Sequence, residues 1–282
     1  MRPVPYDEPT VTRLLKAITQ ADGHPPFSEH KLESSRDTQS SVGTWSDGTG
    51  MCVVGIAAFH EAGGHWAVEI AVAPEQRGPR MEEVAIRVAT DLVPGSVPHT
   101  VWAFRAGQIE AAKRLGYREI RVVLRMSGLI PEDIGGAPPR VTIGAMEPDD
   151  VGGIVTVNNR AFLGHREQGA RTEEDFTSLV ERTWFDSDGV LVAKMGERVV
   201  GICVTKYEGD ATGEIFLIAV DPKNQQSGIG RALTGAGFEV LRRHGAQKVS
   251  LWVDASNEAA VRFYASLGLS EDFRTRELAL PS

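Results

Sequence analysis

A glycine-rich segment in the second half of the chain has the residue types needed to bind a diphosphate. The segment IAVDPKNQQSGIGRAL carries Gln225-x-x-Gly228-x-Gly230-Arg231 after an apolar run. Glycines at a helix start let backbone N–H groups approach an anion, and the helix dipole stabilises negative charge there. The spacing is neither a P-loop nor a Rossmann fingerprint, because Leu233 stands where the third glycine would be. The residues alone predict a diphosphate loop or a glycine-rich helix start without a ligand.

The elements that position this segment are predicted from hydrophobic periodicity. The pattern indicates a mixed α/β (α+β) fold, in which helices flank a twisted, mostly antiparallel sheet. Hairpins near 189–220 favour antiparallel strands, and the later strand–helix–strand run favours a parallel crossover. The predicted strands are 141–146, 189–194, 198–207, 213–220, 247–253 and 271–280. The predicted helices are 149–163, 172–183, 228–244 and 257–267.

The chain reads as two similar halves. A Pro/Gly-rich stretch, GLIPEDIGGAPPR, indicates a linker, and EIAVAPEQRG in the first half parallels FLIAVDPKNQQSG in the second. Each half also ends a helix with Leu-Gly before a strand. We therefore predict a first domain over 1–130, a linker over 131–140 and a second domain over 141–282.

Two motifs resemble the GCN5-related N-acetyltransferase (GNAT) superfamily in order and spacing. One is Val220-x-Pro-x-x-Gln-x-x-Gly-x-Gly230, and the other is Asn257-x-Ala-Ala-x-x-x-Tyr264-x-x-x-Gly268. The resemblance implies a tandem GNAT protein with acetyl-CoA as co-substrate. It also implies these cofactor-binding residues: Ile218, Ala219, Val220, Gln225, Gln226, Ser227, Gly228, Ile229, Gly230, Arg231, Asn257, Ala260 and Arg262.

The first copy departs from this pattern. It has Gln76-Arg77-Gly78-Pro79-Arg80 where the glycine loop should be, and proline removes a donor N–H. Its stretch between the Ala-Ala pair and Leu-Gly is four residues shorter than in the second half, and no tyrosine stands where Tyr264 would align. We expect the first domain to be catalytically silent and to bind CoA weakly or not at all.

A narrower resemblance is to the mycothiol synthase family of actinobacterial tandem acetyltransferases. It is carried by VNNRAFLGHREQG, TWFDSDG, Thr205-Lys206, Gly213-Glu214 and, in the first half, ADGHPPFSEH. The family acetylates the cysteinyl amine of a cysteinyl-glucosaminyl-inositol. The resemblance implies that the acceptor is bound by Glu29, Glu167, Lys206, Glu214 and Trp252.

Two side chains are candidates for proton transfer in such a reaction. An ammonium with a pKa of about 7 to 8 must lose its proton to become a nucleophile, and Glu214 at the start of a strand is our candidate base. Tyr264 is our candidate acid for the leaving thiolate, and strand N–H groups near Ile218 to Val220 could meet the oxyanion. The alternatives are a solvated strand-end charge for Glu214 and a packed aromatic for Tyr264.

Some residues depart from the narrower family. Trp252 and Phe216 stand where tyrosines are usual, and Gln225-Gln226-Ser227 replaces a more basic stretch. The acceptor could therefore be another small-molecule amine, such as a specialised metabolite or an antibiotic. A non-catalytic CoA-binding protein is the third possibility.

Composition limits the other classes of function. The chain has 282 residues and a net charge of −8, which disfavours a general nucleic-acid binder. Neither a membrane span nor a secretory signal is indicated, so we expect a cytoplasmic protein. We also expect a monomer. Two cysteines in buried-looking runs and seven histidines without ligand spacing predict neither a disulfide framework nor a metal site.

Overall fold

The computed structural model describes most of the chain, with several short gaps. The described residues are 2–4, 8–28, 40–46, 51–60, 65–95, 97–164, 169, 171–177, 185–207, 209 and 211–281. They form two compact units. Unit 1 comprises Met1–Val122 together with Arg274–Ser282, and unit 2 comprises Val123–Phe273.

Unit 1 contains a sheet with one parallel pair of strands. Its strand order is β1-β2-β3-β4-β5-β12, in which β4 and β5 run parallel and the other neighbours are antiparallel. The strands of this sheet are β1 (Arg2–Val4), β2 (Ser40–Ser46), β3 (Met51–His60), β4 (His65–Val72), β5 (His99–Ala103) and β12 (Ser270–Ala279). Its helices are α1 (Glu8–Asp22), α2 (Pro79–Thr90) and α3 (Ala106–Arg114).

Unit 2 repeats this arrangement. Its strand order is β7-β8-β9-β10-β11-β6, in which β10 and β11 form the parallel pair. The strands are β6 (Arg118–Leu129), β7 (Thr142–Ala145), β8 (Val190–Met195), β9 (Arg198–Tyr207), β10 (Thr212–Val220) and β11 (Lys248–Asp254). The helices are α4 (Val151–Ala161), α5 (Glu173–Thr177), α6 (Ile229–Arg243) and α7 (Glu258–Ser266).

The end of the chain lies in unit 1, although the sequence prediction assigned it to the second domain. Residues 276–279 of β12 pair with β5, and Leu278 is fully buried in the unit 1 core. Conversely, residues 123–129 of β6 pair with β11 in unit 2. Strand β6 therefore begins in one unit and ends in the other, and so does β12.

The sheet of unit 2 carries helices on both faces. Helix α4 packs through Ile154 and Val157 on the face that includes Val204. Helix α6 packs on the opposite face so closely that a Cβ at Gly213 would lie 2.5 Å from Leu241. The mixed sheet confirms the predicted fold class, including the antiparallel hairpins and the parallel crossover.

The predicted linker is bound to helix α6. No helix or strand spans 131–140, all of which the structure describes. The Arg231 Nε donates to the Ile134 carbonyl at 2.5 Å, and the Arg242 Nη2 donates to the Pro131 carbonyl at 2.6 Å. Among the described residues, no helix is long and apolar enough to span a bilayer.

Candidate functional site

A cleft opens where β10 and β11 part. Their parallel ladder joins Thr212–Ile215 to Lys248–Leu251, although β10 continues to Val220. On its other side β10 remains paired with β9, with a register shift at Phe216, between Ile215 and Leu217. A bulge bends the strand that carries it. The second half of β10 is thus left with an edge facing the cleft.

Backbone polar groups of β10 point into this cleft. In an antiparallel pair, alternate residues direct their N–H and C=O groups to the neighbouring strand. The Asp221 N–H donates to the Val200 carbonyl on the β9 side at 2.9 Å. By this alternation, Ile218 and Val220 turn their N–H and C=O groups toward β11. The predicted oxyanion-binding stretch therefore lies on the open edge.

An ion pair holds the turn that follows β10. The Asp221 carboxylate accepts from the Lys223 N–H at 3.0 Å and from Arg160 Nη1 at 3.1 Å. The Lys223 N–H and then Arg160 hold the pKa of Asp221 below its usual value, despite the opposing effect of burial. Asp221 thus stays ionised and ties the 3₁₀ turn Pro222–Asn224 to helix α4. This pair was not predicted from the sequence, because its two members are far apart in the chain.

The glycine loop exposes the start of helix α6. Gln226 and Gly228 both have left-handed backbones, with φ of 60° and 85°. The first helical hydrogen bond runs from the Ala232 N–H to the Gly228 carbonyl, so the N–H groups of residues 229–231 precede it. No side chain among the described residues caps this end. Such an N-terminus is a favourable place for an anion.

Tyr264 is buried on helix α7. It is 6% exposed, and burial, reinforced by the nearby Cys203 thiol, raises the pKa of its hydroxyl. Cys203 is the β9 partner of Ile218, so this interaction places the phenol near the open half of β10. Burial also raises the pKa of Cys203 to about 12, so the thiol stays protonated and unreactive.

Glu214 lies beside Lys206 on the sheet. The two are cross-strand partners on β10 and β9, and Ser250 on β11 is the partner of Glu214 on the other side. Directly paired residues share a face. Glu214 is half-buried and Lys206 is 6% exposed. Trp252 follows Ser250 by two residues on the same face, is 43% exposed and meets the Phe273 ring edge-on.

Three of the predicted cofactor-binding side chains are hydrogen-bonded to other groups of the protein. Asn257 caps helix α7 by accepting from the Ala260 N–H at 3.2 Å. Arg262 is exposed and pairs with Glu258 at 2.8 Å, whereas the Arg231 Nε binds the linker. The predicted acceptor contacts Glu29 and Glu167 lie outside the described residues.

Comparison with known proteins identifies the family. Residues 159–269 match the model of the Acetyltransferase (GNAT) family. The mycothiol acetyltransferase of Propionibacterium freudenreichii subsp. shermanii is 33% identical over 273 residues, covering 94% of this chain and 86% of that protein.

Two solved structures share the fold along nearly the whole chain. A GCN5-related N-acetyltransferase from Sphaerobacter thermophilus has a TM-score of 0.74 and 22% identity, covering 98% of this chain and 93% of that one. A tandem GNAT protein from the clavulanic acid biosynthesis pathway has a TM-score of 0.69 and 16% identity, covering 99% and 98%. The chain therefore belongs to the mycothiol acetyltransferase family and is an acyltransferase with a tandem GNAT fold.

Proposed function

We propose that this enzyme transfers the acetyl group of acetyl-CoA to the cysteinyl amine of cysteinyl-glucosaminyl-inositol, which completes mycothiol. The observation that supports the acceptor is the 33% identity to a mycothiol acetyltransferase over 94% of the chain. The observation that supports the chemistry is the open edge of β10, which ends at an uncapped helix start.

The loop and the strand edge divide the binding of CoA between them. The diphosphate accepts from the N–H groups at the start of α6, where the helix dipole adds a favourable field. The pantetheine amides form hydrogen bonds with the backbone groups of Ile218 and Val220, which face the cleft because β10 and β11 are not paired there. The thioester is thereby placed between the β10 edge and helix α7.

Glu214 and Tyr264 supply the proton transfers. Glu214 accepts a proton from the cysteinyl ammonium, directly or through water, and the neutral nitrogen attacks the thioester carbonyl carbon. As the C–S bond breaks, Tyr264 donates its proton to the departing sulfur. The attacking nitrogen loses its second proton, which returns through water to the Tyr264 phenolate, and Glu214 releases its proton to solvent. The products are an amide and the free thiol of CoA. N–H groups of β10 stabilise the oxyanion between these steps.

The acceptor lies on the face that carries Glu214. Lys206, Ser250 and Trp252 share this face, so a polyol can receive hydrogen bonds there while its apolar side packs on the indole. The exposed Trp252 supports a second candidate, a different small-molecule amine, because its size and reach differ from those of a tyrosine.

An assay of CoA release tests the acceptor. Purified enzyme is supplied with acetyl-CoA and either cysteinyl-glucosaminyl-inositol or a panel of other amines, including the uncysteinylated glucosaminyl-inositol. We expect the highest kcat/KM with the cysteinyl conjugate. A higher kcat/KM with another amine would show that this amine is the acceptor. If the protein binds CoA but produces no free CoA from acetyl-CoA with any amine, it is non-catalytic.

A further inference from the structure

Unit 1 contains a second pair of parted parallel strands. Strand β4 pairs with β5 in parallel only as far as Glu69, although β4 continues to Val72. The repeat aligns Ile70 and Val72 with the cleft-facing positions of β10 in unit 2. In unit 1, however, the protein's own side chains bind the carbonyls of these two residues.

Gln108 binds the first carbonyl. Its Nε2 donates to the Ile70 carbonyl at 3.1 Å, and its Oε1 accepts from the N–H groups of Phe104 and Arg105 at 2.8 and 3.1 Å. The side chain is almost wholly buried, and both its oxygen and its nitrogen are hydrogen-bonded within unit 1. Counted back from the Leu-Gly pair that ends each helix, unit 2 has only Ala260 at this position.

Arg77 binds the second carbonyl. Its Nε donates to the Val72 carbonyl at 3.2 Å, and its two terminal nitrogens bind the Asp22 carboxylate at 2.6 and 2.9 Å. The aligned residue in unit 2 is Gln225, whose amide donates to the Val220 carbonyl at 3.3 Å from an exposed loop. In unit 1, unlike unit 2, the residue that makes this contact also belongs to a partly buried ion pair.

A carboxylate lies in the first turn of helix α2. Glu82 is 2% exposed and pairs with Arg105 at 2.5 Å, and Arg105 also lies 3.6 Å from Asp22. The helix begins at Pro79, which has no N–H to offer, and the loop before it is two residues shorter than in unit 2. The first turn of α6 carries no acidic residue. In unit 1 the anion at the helix start is therefore the protein's own.

We infer that the internal cluster of Asp22, Arg77, Glu82, Arg105 and Gln108 replaces the cofactor in unit 1, so that each chain binds one CoA, in unit 2. A diphosphate entering unit 1 would be repelled by two largely buried carboxylates, and it could reach their guanidinium partners only by leaving those carboxylates unpaired, both of which are unfavourable. The location of the one bound CoA rests on the proposed function of unit 2.

Two measurements on the full chain test this inference. Isothermal titration with CoA counts the sites, and hydrogen exchange followed by mass spectrometry locates them. We expect one site per chain, with CoA slowing exchange in peptides that cover 216–231 and leaving those that cover 68–82 unchanged. Two sites, or slowed exchange at 68–82, would overturn the inference.

A matched pair of variants separates this inference from the proposed function. Ser227→Glu places a carboxylate beside the start of α6 on an exposed loop, and Ser227→Gln is the uncharged control. We expect Ser227→Glu to weaken CoA binding at least tenfold more than Ser227→Gln, with no site left at the original affinity. A site that survives in Ser227→Glu and protects 68–82 would place CoA in unit 1. If the unaltered chain does not bind CoA at all, the proposed function is wrong, and so is the inference of one CoA-binding site per chain.

Discussion

The surroundings of Tyr264 keep its proton in place. Burial is the main cause of its raised pKa, and the Cys203 thiol adds to it. Because the neutral phenol is the favoured form in the fold, ionisation lowers stability only as pH rises above the usual value of about 10. At neutral pH the hydroxyl is fully protonated, as a general acid must be.

Replacing this hydroxyl should affect turnover and leave CoA binding intact. We expect Tyr264→Phe to lower kcat by about 10²- to 10⁴-fold, the usual contribution of a general acid, and to change the CoA dissociation constant less than about twofold. Steady-state kinetics and titration calorimetry measure the two quantities. If kcat is unchanged, Tyr264 is not the acid.

The pH profile adds an independent check on Tyr264. With its raised pKa, the phenol should cause no loss of kcat/KM as pH rises to about 10. The unaltered enzyme could instead lose kcat/KM as pH rises between about 7 and 10, while Tyr264→Phe does not. That result would contradict a raised pKa for Tyr264.

Glu214 should matter most when the acceptor is protonated. We expect Glu214→Gln to lower kcat/KM by about 10²- to 10⁴-fold near pH 7 and by less near pH 9.5, where an amine of pKa about 7 to 8 has already lost its proton. Glu258→Gln is the control, because Glu258 is exposed and pairs only with Arg262 among the contacts described. An equal loss at both pH values would indicate a positioning role for Glu214 and not a base.

At the scale of elements, the loop before α6 combines an unusual backbone with an open helix start. Gly228 has a φ of 85°. Glycine adopts this left-handed conformation at little cost, whereas a residue with a Cβ is strained in it. Gly196, in the turn between β8 and β9, has a φ of 61°, and both positions have open space where a Cβ would stand. The two glycines therefore make a matched pair.

Alanine at each of these positions separates strain from binding. We expect Gly228→Ala and Gly196→Ala each to lower the free energy of unfolding by about 1 kcal/mol, and only Gly228→Ala to weaken CoA binding, by about tenfold. Chemical denaturation and calorimetry measure these effects. If the two variants bind CoA equally well, the loop before α6 is not part of the CoA-binding site.

The bounds of helices and strands could be predicted from the sequence more accurately than the register between strands. Local periodicity placed β9 at 198–207 and α6 within one residue at each end, because these signals lie within each segment. The bulge at Phe216 and the parting of β10 from β11 depend on register between distant segments, which periodicity does not contain. The Arg160–Asp221 pair was missed for the same reason.

At the scale of the whole molecule, the last strand completes the first unit. Thr275 Oγ1 donates to the Ala103 carbonyl at 3.0 Å, and Leu278 has no exposed surface. A linker visible in the sequence is thus not a place at which the units can be separated, because residues 274–282 belong with the first 122.

Fragments should show this dependence directly. We expect residues 1–130 alone to lack a cooperative thermal transition, because they expose the edge of β5 and leave a cavity where Leu278 packs. Joining residues 270–282 to this fragment through a flexible linker should restore the transition. Cooperative unfolding of 1–130 by itself, followed by calorimetry, would contradict the assignment of β12 to unit 1.

The central claim is that CoA binds along β10 and at the start of α6. A crystal structure of the chain grown with CoA tests it most directly. We predict that the diphosphate lies within hydrogen-bond distance of N–H groups in residues 226–231, with the pantetheine beside Ile218 and Val220. Electron density for CoA elsewhere, with the loop before α6 empty, would contradict the account.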